Sequence, residues 1–317
     1  MTLSQLTYVV AVDTHRNFVE ASKHCFISQP TLSMQIKKLE ETLDVVIFDR
    51  TRQPVVPTQA GEAIIAQARV ILREEKRLEE LVRVARGEIG GEFQLGIIPT
   101  LSTTLLPRFL PSFATRYPRV RLVIQELQTE EMIERLEQDR LDAGIAATPL
   151  DHPELHERPL FNEPFYLYLS GKHPLGKKKI VSESDLMNQE VWLLSEGHCF
   201  RNQVTQLCGL QRNQPSPSPV RFESGNLQTL IRLVEQEFGM TLLPYLAIQD
   251  LERKEQKRRV RRFSAPVPVR EVSLIHRRQF VKERVTEVLF NEILASLPKA
   301  LRDSTETENH LLLPFAD

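Results

Sequence analysis

The sequence predicts an α/β protein that opens with an all-α winged helix-turn-helix head and carries a long linker helix behind it. Three patterns lead there: three capped helical segments before residue 45, an apolar stripe at helical spacing from residue 59, and strands alternating with helices from Glu92 onward. At 317 residues the chain is too long for one hydrophobic core, so several domains follow. A hydrophobic share of 41% and a charged share of 26% are those of a folded, water-soluble chain. The opening MTLSQLTYVV lacks a basic signal-peptide start, and no apolar run approaches the roughly 18 residues of a membrane span. A cytoplasmic protein with no membrane partner is expected.

In the head, Leu3, Leu6, Val9, Val10 and Val12 recur at helical spacing, and Asn17 offers a cap for a second helix from Phe18 to Cys25. Ser28 caps a third helix, with Pro30 inside its first turn, where a missing N–H costs nothing. Leu32, Ile36, Leu39 and Leu43 form its buried face, leaving Gln29, Thr31, Ser33, Met34, Lys37 and Lys38 outward. Val45 to Phe48 and Pro54 to Val56 read as short strands flanking a tip that carries Arg50 and Arg52, a wing.

Thr58 caps a long helix to about Arg86, where Gly87 and the Gly90-Gly91 pair end it. Its stripe, Ala60, Ala63, Ile64, Val70, Ile71, Leu78, Leu81, Val82 and Ala85, needs a partner: a second copy in a dimer, or the head of the same chain. Beyond it come strand 93–98, helix 105–117, strand 121–125, helix 130–138 and strand 143–147, the order of parallel βαβ units. Apolar runs at 165–169, 191–194, 240–243 and 272–275, with a helix over 227–238, extend the α/β body to about Leu297. The resulting division is a head over 1–58, a linker or dimerisation helix over 59–90, a regulatory body over 91–303 and a tail over 304–317. The tail is expected to be loose, or to dock Leu311, Leu312 and Leu313 on a neighbour.

Net charge is −1, and residues 1–60 balance six Lys/Arg against six Asp/Glu, so composition gives no sign of a nucleic-acid partner. Local placement does, because no acid occurs from Ala21 to Leu39. Read this way, Gln29, Thr31, Ser33 and Met34 meet base edges, Lys37, Arg50 and Arg52 bind phosphates, and Pro30 belongs to the same DNA-binding face. A merely solvated helix face is the plainer reading of the same residues.

The run Glu20-Ala21-Ser22, Ser28-Gln29-Pro30-Thr31-Leu32-Ser33, Ile36-Lys37-Lys38-Leu39-Glu40 and Phe48-Asp49-Arg50, followed by Thr58-Gln59-Ala60-Gly61, closely resembles the signature of LysR-type transcriptional regulators. That resemblance implies promoter DNA as partner, a two-lobed α/β regulatory domain like a periplasmic binding protein, homodimers assembling to a homotetramer, and RNA polymerase as a partner on activation. Asp44 stands where the family usually has Gly, a small departure because Asp tolerates a left-handed helix terminus.

Three cysteines, Cys25, Cys199 and Cys208, are too few for a secreted disulfide framework. Cys25 reads as a structural thiol. Cys199 opens a helical stretch beside His198 and Arg201, neighbours that would lower a thiol pKa. Nine residues of helix would hold Cys199 and Cys208 about 13 Å apart, whereas a disulfide needs about 7 Å, so pairing requires local unfolding. Two unrelated buried thiols remain the alternative, and no matching ligands suggest a metal or cofactor.

Gly197-His198-Cys199, Arg201 and Gln203 with Cys208 nine residues on resemble the redox centre of the hydrogen-peroxide sensors within the LysR-type family. The resemblance implies that peroxide oxidises Cys199, that Cys208 closes a disulfide, and that antioxidant genes are then activated. It also implies a peroxide pocket of Thr100, Thr129, His198, Asn202 and Arg270. On the residues alone the threonines read as helix N-caps. Asn202 replaces an Asp common in those sensors and so removes a possible carboxylate base. A small organic effector in the cleft, or thiol-peroxidase turnover, are the competing readings; residues 1–60 argue against an enzyme.

Overall fold

The computed structural model describes residues 1–86, 88–187, 189–209, 224–278, 282–302 and 310–313. The chain divides into two compact units, Met1–Glu88 and Ile89–Asp317.

In the first unit, helix α1 (Leu3–His15) starts in a reciprocal cap between Thr2 and Gln5. Asn17 caps α2 (Phe18–His24) by accepting from the N–H groups of Val19 and Glu20. Ser28 caps α3 (Gln29–Leu43), which ends at Asp44 in the left-handed region, φ 51°. Leu32, Ile36 and Leu39 are fully buried with Leu6, Val9 and Val12. Leu43, expected on the same face, is exposed because the core ends one turn earlier.

The wing strands β1 (Phe48–Asp49) and β2 (Val56–Pro57) pair antiparallel, Phe48 with Pro57 and Asp49 with Val56. They lie later in the chain than expected. The reason is Glu40: its carboxylate accepts from the N–H groups of Ile47 (2.8 Å) and Phe48 (3.3 Å), and its carbonyl from Val45 (3.0 Å). Val45 and Ile47 therefore give their donors to the end of α3 instead of to a ladder.

Helix α4 (Gln59–Ala85) is capped by Thr58, whose hydroxyl accepts from Gly61 N–H and donates to Val46 O. Its first half packs on the head, with Ile65 and Ala68 buried and Ile64, Ile71 and Leu72 partly so. Val70, Leu78, Leu81 and Val82 stay exposed. The head of the same chain thus covers the first half of the stripe and leaves the second half open. Gly87 and the side chain of Ala85 lie outside the described residues.

The second unit runs β3 (Gly91–Ile97), α5 (Pro99–Arg116), β4 (Val120–Glu126), α6 (Thr129–Glu137), β5 (Ala143–Thr148), β6 (Leu155–Leu169), β7 (Ile180–Val181), α7 (Cys199–Leu207), α8 (Leu227–Glu235), β8 (Met240–Pro244), α9 (Tyr245–Gln249), α10 (Arg253–Arg259), β9 (Val260–Phe263), β10 (Val267–Arg277), α11 (Glu283–Ser296), α12 (Lys299–Arg302) and β11 (His310–Leu312). Strands β4, β3 and β5 are parallel, as the alternation predicts. Strand β10, however, runs antiparallel to β5 and to β6, so the sheet is mixed.

Two cores explain this. Leu155, Leu160 and Phe161 of β6 join the core of Phe93, Leu95 and Phe109, while Phe165, Leu167 and Leu169 join that of Phe200, Leu230 and Leu242. Strand β6 crosses from one lobe to the other and β10 returns, necessarily in the opposite sense. Val191 to Leu194, expected as a strand, makes only isolated bridges to Met240 and Ser224. The tail also departs from expectation. Residues 310–312 pair parallel with β10, and Leu313 is buried in the second core of its own chain, its N–H bonded to Val269 O. Residues 303–309 and 314–317 lie outside the described residues. No helix among the described residues is long and apolar enough to cross a membrane.

Gly61 is where α4 meets the wing: a Cβ there would sit 2.0 Å from the carbonyl oxygen of Ile47. Gly61→Ala should therefore destabilise the head by about 1–3 kcal/mol, the usual cost of overpacking. Denaturant unfolding followed by circular dichroism would test this.

Candidate functional site

Helix α7 begins at Cys199, so its thiol lies where the unpaired N–H groups of a first turn converge. A narrow crevice opens there, lined by Ile98, Pro99, Thr100, Gln128, Thr129, Gly197, His198 and Cys199. Thr100 and Thr129 come from the first turns of α5 and α6, at the carboxyl ends of β3 and β4. Two strand-to-helix junctions and the start of α7 thus converge on one thiol, the placement that open α/β sheets give their ligands. Gly197 is required by shape: its φ is +85°, and a Cβ would fall 2.4 Å from the amide oxygen of Gln128.

Behind Thr100 lies a fully buried ion pair. Arg270 of β10 donates through Nε (2.9 Å) and Nη2 (2.7 Å) to Glu163 Oε2, and through Nη1 (2.8 Å) to the Thr100 hydroxyl. Glu163 is the cross-strand partner of Arg270 on β6, and its Oε1 accepts from Leu246 N–H of α9. Since Thr100 Oγ1 accepts from Arg270, its own proton is left to donate elsewhere. Thr129 Oγ1 is buried beside the Cys199 thiol, which it influences, and has no further hydrogen-bond partner among the described residues. Asn202 sits three residues along α7, half-buried and outside the crevice lining, and Arg270 reaches the crevice through Thr100.

Burial pushes the Cys199 thiol up from its ordinary value, against the pull of the Arg270 cation, the Thr129 hydroxyl and the Phe200 N–H. A lowered pKa was the expectation from His198 and Arg201. Burial instead lowers the His198 pKa, which disfavours imidazolium, and Arg201 donates to the carbonyl of Leu194. The cation acting on the thiol is Arg270, 71 residues away in sequence. Cys208 closes α7 and is buried in the second core, its thiol pushed up to about 12. All three cysteines are unpaired thiols, Cys25 being half-buried.

On the head, Gln29, Pro30, Met34 and Lys37 are exposed along α3, with Thr31 and Ser33 half-buried. Thr31 shares a hydrogen bond with the Ser28 hydroxyl. Arg50 is held by Glu40 (2.8 Å) and by the Ser33 hydroxyl (3.1 Å), over the ring of Phe18, so it clamps the wing to α3. Arg52 pairs with Asp49 yet stays 71% exposed at the tip. Glu40 and Glu163 escaped the sequence reading. The signal for Glu163 was a carboxylate inside the apolar run LFNEPFYLYL; for Glu40 there was none, since its partners come from the following loop.

Residues 3–62 match the bacterial regulatory helix-turn-helix proteins of the lysR family, and residues 86–298 match the LysR substrate binding domain. The chain belongs to the LysR family. Among its relatives in that family is the hydrogen peroxide-inducible genes activator of Haemophilus influenzae, 34% identical over 280 residues that span 87% of this chain and 91% of that one. The DNA-binding transcriptional dual regulator OxyR of Escherichia coli K12 is 35% identical over 277 residues, 87% of this chain and 90% of the relative. A full-length OxyR variant from Pseudomonas aeruginosa aligns with a TM-score of 0.75 at 34% identity, covering 93% of this chain and 98% of that one. This LysR-family protein is therefore a DNA-binding transcription regulator.

Two outcomes follow from the site's electrostatics. Glu163→Ala strands a buried guanidinium and should cost about 3–5 kcal/mol in denaturant unfolding. For Cys208 the folded pKa of about 12 lies above the ordinary 9.0, so its stabilising share is present below pH 9 and is lost as pH rises toward 12. Its alkylation by iodoacetamide at pH 8 should be about a thousandfold slower in the native protein than in urea, three pKa units being three decades of thiolate. Equal rates would mean that the thiol is accessible.

Proposed function

We propose that this regulator responds to hydrogen peroxide through Cys199 and activates antioxidant genes when oxidised. The observation that carries the reading is one buried thiol at a helix start, facing two threonine hydroxyls, with a second buried thiol at the other end of the same helix. The narrow crevice supports a very small oxidant over an organic effector, since Ile98, Pro99, Thr100, Gln128, Thr129, Gly197 and His198 close in around Cys199.

Peroxide enters with Thr129 and Thr100 as hydrogen-bonding partners. The Cys199 thiolate attacks one peroxide oxygen, the O–O bond breaks, and the departing hydroxide takes a proton to become water. Sulfur is oxidised by two electrons to a sulfenic acid. Arg270 favours the thiolate and offsets part of the cost of burial. Asn202 supplies no carboxylate for proton removal, so that proton passes through hydroxyls or water.

Cys208 then attacks the sulfenic sulfur, releasing water and closing a disulfide. With α7 intact the two Cα atoms stand about 13 Å apart, nine residues at 1.5 Å each, so the helix must unwind to bring them within about 7 Å. That unwinding repacks the second lobe, where Phe200, Val204, Leu207 and Cys208 are all core residues. The change alters how the heads of a homodimer, joined through the open half of α4 and assembled to a homotetramer, hold promoter DNA and meet RNA polymerase. On the DNA, Gln29, Thr31, Ser33 and Met34 face the bases, with Lys37 and the exposed Arg52 toward phosphates and Arg50 holding the wing on α3.

Cys199→Ser should abolish the peroxide-dependent change in DNA footprint while leaving DNA affinity intact. Cys208→Ser should stop at a sulfenic acid that dimedone labels on Cys199. A footprint that still shifts with peroxide in Cys199→Ser would place the sensor elsewhere.

A further inference from the structure

The second lobe carries a concentration of positive charge that the thiol chemistry does not use. Residues 172–179 and 252–262 hold eleven of the chain's 41 Lys/Arg and two of its 42 Asp/Glu, in a protein of net charge −1. The fold brings the two runs together. Strand β7 pairs with β9, aligning Ile180 with Arg262; the Arg261 guanidinium donates to Gly176 O at 2.5 Å; and Arg258 lies against Gly171.

On α10 the charges are sorted by face. Arg259 turns inward, buried between Glu255 (2.5 Å) and Glu237 (3.2 Å), while Arg253, Lys254, Lys257 and Arg258 stay exposed. The neighbouring acids are already engaged: Glu237 with Arg258 and Arg259, Asp185 with Lys178. Lys172, Lys177, Lys179, Lys254, Lys257 and Arg262 are exposed, and none of them makes an ion pair among the described residues. Clustered like charges repel one another, and the exposed Glu183 and Glu252 offset only part of them.

In the head the balance is opposite. Arg16 pairs with Asp13, Lys23 with Glu20, Arg50 with Glu40 and Arg52 with Asp49, leaving few cations uncommitted. DNA affinity nevertheless rests largely on neutralised phosphates. The two runs are rich in lysine and hold no Phe, Trp or Tyr, which fits point-charge contact with phosphates; protein interfaces are depleted in lysine and anchored by aromatics.

We propose that this basic face is a second nucleic-acid contact, binding the phosphate backbone of duplex DNA that flanks the segment read by the head. It rests on the DNA binding of the family and not on the peroxide reading.

The test uses the full-length reduced protein and an operator selected with it, in a short duplex covering only that operator and in one extended on both sides. Binding is measured by fluorescence anisotropy across salt concentrations for wild type and for Lys177→Glu/Lys179→Glu and Lys254→Glu/Lys257→Glu. The wild-type slope of log Kd against log salt should be steeper on the extended duplex by about 2–4, close to one per phosphate neutralised. Each variant should lose about 2 of that excess and bind the short duplex as wild type does, which also shows that it is folded. Equal wild-type slopes on the two duplexes would overturn the proposal. So would variants that bind both duplexes normally but fail to activate transcription, an outcome assigning the face to a protein partner.

Discussion

Everything in the body of this regulator is arranged around one ion pair that water does not reach. Arg270 and Glu163 face each other across β10 and β6 at the point where those strands pass from one lobe to the other. Charges so deeply buried persist only when their hydrogen-bonding groups are satisfied, and here the pair ties Thr100 of α5 and the start of α9 to the crossing strands. The same guanidinium supplies the positive potential acting on Cys199. A structural tie between lobes and the electrostatic environment of the thiol are therefore one feature.

Burial gives the thiol its character. An exposed cysteine of low pKa would meet every cellular electrophile, whereas Cys199 is shielded, and burial pushes its thiol up from its ordinary value. Cys208 is shielded more simply, by apolar packing. Keeping both thiols in core positions at opposite ends of one helix makes their separation a property of helix geometry and links any approach between them to loss of lobe packing.

The head was almost fully legible in the sequence because its boundaries are written in local chemistry: Asn17 and Ser28 cap, Pro30 opens, Asp44 adopts the left-handed terminus. The thiol helix was legible for the same reason. What escaped depends on partners distant in sequence. Nothing local says that β6 is fifteen residues long and shared by two cores, that Glu163 meets Arg270, or that Leu313 returns to its own lobe. The reactivity of Cys199 was misjudged for a related reason: adjacent residues suggested lowered pKa, whereas burial, a property of the whole fold, outweighs them. Within the head, the tip arginines looked equivalent, yet Glu40 turns Arg50 into a clamp and leaves Arg52 outward.

On the proposed reading, a DNA-binding head of balanced charge and a body whose thiols are buried in its cores make a regulator whose output hinges on whether α7 stays wound. The most direct measurement is intact mass and DNA footprint recorded together, before and after stoichiometric hydrogen peroxide. The account predicts a loss of two mass units, the two thiol hydrogens, within a single chain, accompanied by an altered footprint. An unchanged mass, or linkage only between chains, would contradict it.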